Sequence, residues 1–193
     1  MLLACSAGGN LTGDGTGYSL SITRYYRSMR DNGNCIKTNP DRRLFVCAFA
    51  ILDLETNHYV AYGVSMKSEK DSYRDALRML SFTVRNVESI HPDQYYGSQF
   101  RLDDFSEGTK VFVIPRSNTT IRGSPAWKEL IGRLIDSPMD FFREYYRREN
   151  SESELSADKR TTGWHIHQRR EDRIRTAAMC KGTWHNLFNM TAR

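Results

Sequence analysis

Leu44-Phe-Val-Cys-Ala-Phe-Ala-Ile-Leu52 is nearly all apolar and holds neither Gly nor Pro. A short run of that kind reads as a strand covered on both faces. Tyr59 to Met66 follows closely, and the residues between, Glu55, Thr56 and Asn57 among them, suit a hairpin turn. Upstream, Tyr18 to Ile22 alternates apolar and polar residues as a further strand would. The Gly-rich stretch before it, Gly8 to Gly17, reads as flexible and puts Asp14 on or beside that first strand. Downstream, Tyr73, Leu77, Leu80 and Val84 recur at helical spacing, predicting a helix from Lys70 to about Val87.

An extended piece from Glu88 to Asp93 comes next, with Pro92 biasing its predecessor toward β geometry. Lys110 to Ile114 is a strand stopped by Pro115. Ser124-Pro125 and Ser137-Pro138 are helix starts, with Ser as N-cap and Pro as first helical residue. The first of these helices is expected to bury Trp127, Leu130, Ile131 and Leu134, and the second presents Phe141, Phe142, Tyr145 and Tyr146. A last helix, about Gln168 to Asn189, carries Ile174, Ala177, Trp184 and Phe188 as its apolar stripe, with Trp184 and Phe188 read as core. The order predicts an α/β or α+β core: an opening antiparallel three-strand unit, a crossover helix, further strands and then helices packed on the sheet. That crossover sets Asp14 and Asp93 on neighbouring strands.

The 193 residues suit a single domain, and no apolar run is long enough to span a membrane. Met-Leu-Leu-Ala-Cys at the start is similar to a lipoprotein cleavage site, but Cys5 lies too near the first residue for a signal region to precede it. Cys5, Cys35, Cys47 and Cys180 form no CxxC pair, which points to a reducing, cytoplasmic setting. No ligand pair among His165, His167, Cys180 and His185 has a zinc-site spacing. The net charge of +5 is unevenly placed: residues 159–193 hold 8 basic and 2 acidic side chains, whereas the rest of the chain is nearly neutral. Of the 28 basic residues 21 are Arg, the side chain that grips phosphates with a two-pronged fork, so a nucleic-acid partner is plausible.

Tyr145, Arg148, Glu152 and Lys159 fall within a ~60° arc of a helix, in a stripe about 21 Å long. On geometry alone such a stripe is an ion pair on a solvated helix face. The spacing Tyr-(2)-Arg-(3)-Glu-(6)-Lys, however, resembles the YREK signature of the DDE transposases of the insertion-sequence-four type. Asp14-Gly-Thr-Gly is similar to that family's first-aspartate strand, Asp93-Gln-Tyr-Tyr to its second, and Trp184-His-Asn-Leu-Phe to its closing helix.

The resemblance implies an RNase H-like DDE transposase catalytic domain over residues 1–193, with 159–193 as its basic C-terminal helical segment. Asp14, Asp93 and Glu152 would be the catalytic carboxylates, binding two Mg²⁺ ions, with Mn²⁺ as a substitute. Tyr145, Arg148, Lys159, Arg169, Arg170 and Arg173 would contact DNA. The implied partners are transposon ends and target DNA, engaged as a homodimer on DNA at the nucleoid. Asp14 comes early in the sequence, so the expectation is a catalytic domain without the family's N-terminal DNA-binding region. Gln94 stands where a basic residue is expected, and Asp103 and Asp104 are the alternatives to Asp93. A catalytically silent, DNA-binding remnant and another RNase H-like nuclease are the competing functions.

Overall fold

A computed structural model describes residues 9–20, 45–84, 86–94, 102, 104–105 and 108–191. Its first strand, β1, is Asn10–Leu20, longer and earlier than the sequence suggests. The glycines there do not make a loop, because β2 (Phe45–Asp53) pairs antiparallel with β1 from Leu11 to Ser19. Gly13 instead leaves room for the Phe49 ring, which would lie 3.0 Å from a Cβ at that position. Ile22 and Leu44 lie outside the described residues.

β2 continues through a tight turn into β3 (Tyr59–Ser65), again antiparallel. Asp53 organises the turn by accepting from Thr56 Oγ1 at 2.8 Å, and Asn57 takes its positive φ of 55°. Asn tolerates that left-handed geometry better than most residues. The crossover helix α1 (Glu69–Thr83) starts at Ser68, whose side chain accepts from the Asp71 N–H, and ends short of the expected Val87. β4 (Ser89–Pro92) then pairs parallel with β1, and β5 (Lys110–Val111) parallel with β4. β5 is shorter than the apolar run to Ile114, although Phe112 still donates its N–H to Ile90 O at 2.9 Å.

The helical part comprises α2 (Pro125–Asp136), α3 (Pro138–Tyr145), a 3-10 turn (Tyr146–Arg148) and α4 (Glu149–Thr162). A two-residue strand β6 (His165–Ile166) and the long α5 (Glu171–Thr191) follow. Ser124 caps α2 as expected, but Ser137 makes no side-chain cap bond to α3.

The sheet order is β3-β2-β1-β4-β5, with β6 added beside β1. Because successive strand residues face opposite sides, β2 divides two cores. On one side Phe49 and Ile51 meet Tyr73, Ala76 and Leu80 of α1; on the other Ala48, Ala50 and Leu52 share a core with Leu155 of α4 and with Ile174 and Ala178 of α5. The result is a mixed α/β sandwich compatible with an RNase H-like core.

α1 packs so closely on β3 that a Cβ on Gly63 would sit 1.9 Å from the Ser72 carbonyl oxygen and 2.4 Å from the Ala76 nitrogen. Backbone atoms cannot swing aside, so Gly63→Ala is expected to cost about 3 kcal/mol, read as a lower urea midpoint. An unchanged midpoint would mean that α1 docks elsewhere.

One sequence expectation fails on α5. Trp184 and Phe188 are not core: they are 51% and 46% exposed and stack on each other with ring centroids 5.8 Å apart. The face that α5 buries is Ile174, Ala178, Lys181, Gly182, His185 and Asn186. Polar anchoring explains the switch. Lys181 Nζ donates to the Thr162 and Gly163 carbonyls at 2.9 Å each, and Gly182 lets α5 settle onto the Tyr62 ring.

Candidate active site

β1 and β4 run parallel with Gly13 opposite Pro92, so Asp14 and Asp93 each stand one residue past the last registered pair. Asp14 lies on the α4 side of the sheet, in register with Ala50 of β2. Among the described residues, no strand pairs with the β4 edge of β1 between Gly13 and Ser19, where β6 joins. α4 lies against β1 on this face, where Ser151 Oγ meets Thr12 Oγ1 at 3.3 Å. Its buried side is Ser151, Leu155 and Asp158, which turns the adjoining Glu152 and Lys159 to the margin of the contact.

Asp14 is the most perturbed of these acids. Burial pushes its carboxyl up to about 6; the bond from the Gly15 N–H, 2.7 Å long, opposes this, and the charges of Glu152, Asp93 and Glu69 add to it. Four carboxylates therefore share one electrostatic field. A short-range cation answers two of them: Arg148 Nη1 lies 3.3 Å from Asp93 Oδ1 and also hydrogen-bonds Glu152 Oε1. Burial works against the Arg148 charge, but Tyr145, Glu152 and Asp93 outweigh it and hold the guanidinium protonated. Arg148 also lies over the Tyr145 ring, 5.2 Å from its centroid. Tyr145 is buried, so the guanidinium rests on a fixed aromatic platform.

Lys159 takes a different position, between two rings. Its Nζ is 4.7 Å from the Trp164 centroid and 5.8 Å from that of Tyr18. Burial lowers its affinity for a proton, and Asp14 is the charge that opposes this. A 3-10 turn over Tyr146–Arg148 interrupts the continuous helix expected from Tyr145 to Lys159.

The other expected DNA contacts are exposed but differently engaged. Arg170 grips Asp172 with two bonds of 3.0 and 2.7 Å, Arg173 makes no ion pair among the described residues, and the neighbouring Arg175 reaches Asp75 at 3.4 Å. Arg169 is exposed at the start of α5. Of the alternatives to Asp93, Asp104 accepts from Tyr73 OH at 2.9 Å, and Asp103 lies outside the described residues. Cys5 and Cys35 are outside them too, and Cys47 and Cys180 are free thiols. His185 is buried in a structural network and is no zinc ligand with Cys180.

Among the described residues no three Asp, Glu, His or Cys side chains form a closed metal-holding group as they stand. The donor chemistry nevertheless fits a hard divalent cation, because Asp14 is desolvated and the charges of Glu152, Asp93 and Glu69 disfavour its own, so that added positive charge would relieve it. Arg148 supplies part of that charge to Asp93 and Glu152.

Sequence reasoning missed two neighbours. His91, fully buried beside Pro92 and Asp93, donates from Nδ1 to Leu11 O (3.0 Å), while its Nε2 makes no hydrogen bond among the described residues. Burial holds its pKa down at about 4, aided by Arg147 and opposed by the Leu11 contact and Glu144. Glu69 opens α1 directly beneath Gly15, where its Oε1 would lie 2.5 Å from a Cβ. Neither residue carries a pattern that singles it out in the sequence.

Among the described residues no helix is long and apolar enough to cross a membrane. No family model matches the chain. It is 43% identical over 182 residues to a probable transposase for the insertion sequence element ISA1214 of Archaeoglobus fulgidus, a match covering 93% of this chain and 53% of that protein. The chain therefore spans about half the length of the curated relative it matches, and over that half it is similar to a transposase.

Proposed function

We propose that the chain is the catalytic part of a DDE-type transposase on an RNase H-like core, cutting an insertion sequence from DNA and joining it to a target. The observation that carries this reading is the placement of Asp14 and Asp93 one step beyond registered parallel strands, with Glu152 across from them on α4 and within their field. The sheet order β3-β2-β1-β4-β5 and the likeness to an insertion-sequence transposase support it.

Asp14, Asp93 and Glu152 would hold two Mg²⁺ ions, or Mn²⁺ in their place, and bound metal would supply activation of an attacking oxygen and stabilisation of a leaving one. The chain's own cations handle the phosphates. Arg148 is a planar donor already aimed at two oxyanions, Asp93 and Glu152, and a DNA phosphate is a third oxyanion of the same kind. Tyr145 keeps that guanidinium from swinging away. Lys159 adds a point charge beside Asp14, and Arg169, Arg170 and Arg173 extend the basic surface along the start of α5. Joining two transposon ends calls for a homodimer on DNA.

The test is nicking and strand transfer on DNA bearing the element's ends, run with the full chain in Mg²⁺ and in EDTA. The expected result is Mg²⁺-dependent cleavage that disappears in Glu152→Gln. Cleavage that survives this change would remove Glu152 from the site. Salt-dependent DNA binding with no cleavage under any divalent ion would favour the silent remnant.

A further inference from the structure

Two buried hydroxyls stand where the packing of α4 on the sheet calls for apolar side chains. Thr12 is fully buried on β1 and Ser151 is buried on α4, while Leu155, one turn further along the same helix face, fills the neighbouring core. A hydroxyl taken out of water costs free energy unless it is hydrogen-bonded, so the pair is held there by its bonds. Thr12 Oγ1 donates to His91 O at 2.9 Å and lies 3.3 Å from Ser151 Oγ. With its one proton on His91 O, Thr12 offers Ser151 only lone pairs. The Ser151 proton is then shared between Thr12 Oγ1 and Arg148 O, which is 2.7 Å away.

Each link of that chain stands just behind a candidate catalytic carboxylate. Thr12 is two residues before Asp14 and so on the same face of β1. His91, in register opposite Thr12, is two residues before Asp93. Ser151 immediately precedes Glu152, and Arg148 itself bonds both Asp93 and Glu152. The three elements that supply one carboxylate each, β1, β4 and α4, therefore meet at a single oxygen, Thr12 Oγ1. The two strands are already locked by their ladder. α4 shares no ladder with them, so its height above the sheet rests on side-chain contacts. Asp158 holds its far end through Tyr59 and His185, and the Thr12–Ser151 contact holds the end that bears Glu152.

We infer that Thr12 and Ser151 are positioning residues, a hydroxyl pair that sets the distance of Glu152 from Asp14 and Asp93 and with it the affinity for a divalent cation; the inference rests on the metal-binding reading of those three carboxylates. Neither hydroxyl touches the ion or the DNA. Their effect is geometric: ligands on separate elements hold a metal well only when placed to within roughly half an ångström, and such placement depends on the buried bonds behind them.

The experiment titrates the full chain with Mn²⁺ alone, without DNA, and reads the loss of the free-ion electron paramagnetic resonance signal, beside a melting curve for each variant. Thr12→Val keeps the shape and the strand propensity but deletes the hydroxyl, and should bind Mn²⁺ roughly 10- to 100-fold more weakly. Thr12→Ser loses a methyl group but keeps the hydroxyl, and should bind as the wild type does whatever it loses in melting temperature. Ser151→Ala, which suits a helix and needs no new room, should weaken binding about tenfold and keeps the test open if Thr12→Val does not fold. The double variant should bind no more weakly than Thr12→Val, because the two changes break one contact. DNA affinity in EDTA should be the same in all of them. Wild-type Mn²⁺ affinity in both Thr12→Val and Ser151→Ala would overturn the inference while leaving the metal-binding reading intact. Losses of affinity that follow melting temperature across the variants, with Thr12→Ser as impaired as Thr12→Val, would also overturn it. Wild-type protein that neither binds Mn²⁺ nor cleaves DNA would instead sink the underlying reading, and this inference with it.

Discussion

Asp14→Asn is expected to lose DNA cleavage by about a thousandfold or more and, in the absence of divalent ions, to be more stable than the wild type at neutral pH. The loss follows from removing one of the carboxylates that would hold the catalytic ions, whose contribution to such reactions is several kcal/mol. The gain in stability follows from the cost of ionising Asp14 in the fold. Its carboxyl sits at about 6 instead of 3.8, so at pH 7.5 the folded protein carries a charge that burial and three neighbouring acids disfavour. Asn keeps the shape and an acceptor for the Gly15 N–H without that charge. A shift of this size corresponds to roughly 3 kcal/mol at most, read as a higher urea midpoint. Added Mg²⁺ should raise the wild-type midpoint and leave that of Asp14→Asn nearly unmoved. A variant no more stable than the wild type would mean that Asp14 is better solvated than its position implies.

The pH dependence carries the sign of each group. Asp14 binds its proton more tightly in the folded state, so its contribution to stability is favourable below about 3.8 and is lost as pH rises through 6. His91 behaves oppositely: buried and neutral, with its pKa lowered to about 4, it costs the fold nothing above 6.5 and destabilises it progressively as pH falls toward 4. Between pH 4 and 6 the two slopes oppose each other. Asp14→Asn removes one of them, and acid sensitivity over that window should become steeper in the variant than in the wild type.

The parts of the fold written in apolar periodicity were legible. β2 and β3 follow directly from two apolar runs, α1 from a helical repeat, and α2 from Ser124-Pro125. Of β1 only the end from Tyr18 was legible, since the glycines before it carry no strand propensity and become a strand only because β2 supplies the ladder and Phe49 fills the space above Gly13. α5 misled for the converse reason. Its largest apolar residues, Trp184 and Phe188, face out, and the helix is held by Lys181, His185 and Asn186, whose partners are distant in sequence. The candidate site was legible through the Tyr145-to-Lys159 spacing and its likeness to a family signature. The bridge from Arg148 to Asp93 was not, because it joins residues 55 positions apart and depends on the β1–β4 register.

That polar anchoring supplies the second large effect, at Asp158. Its carboxylate, buried on α4, accepts from Tyr59 OH at 2.7 Å and lies 2.8 Å from His185 Nδ1, while His185 Nε2 lies 2.8 Å from Asn57 O. Three elements, α4, α5 and the β2–β3 turn, are thereby tied at one point. Both ring nitrogens of His185 face oxygen acceptors, an arrangement that favours imidazolium. Burial works against that charge, but the Asp158 bond and charge and the Asn57 carbonyl prevail and raise the His185 pKa. Asp158→Ala would leave a buried tyrosine hydroxyl and a buried histidine without their shared partner. The expected cost is about 3–5 kcal/mol, which for a domain of this size lowers the melting temperature by roughly 10 °C. Because the folded state raises the histidine's pKa, the stability it contributes is fully present below its unfolded value near 6.5 and fades as pH rises through the folded one. The wild-type advantage over Asp158→Ala should therefore shrink at alkaline pH. The same knot fixes the rotation of α4, since Asp158 and Lys159 are adjacent and Glu152 lies two turns earlier on that helix. Asp158→Asn, which keeps an acceptor for Tyr59 OH, should lose less stability than Asp158→Ala. If both variants melt at the wild-type temperature, the network does not hold α4 to the sheet.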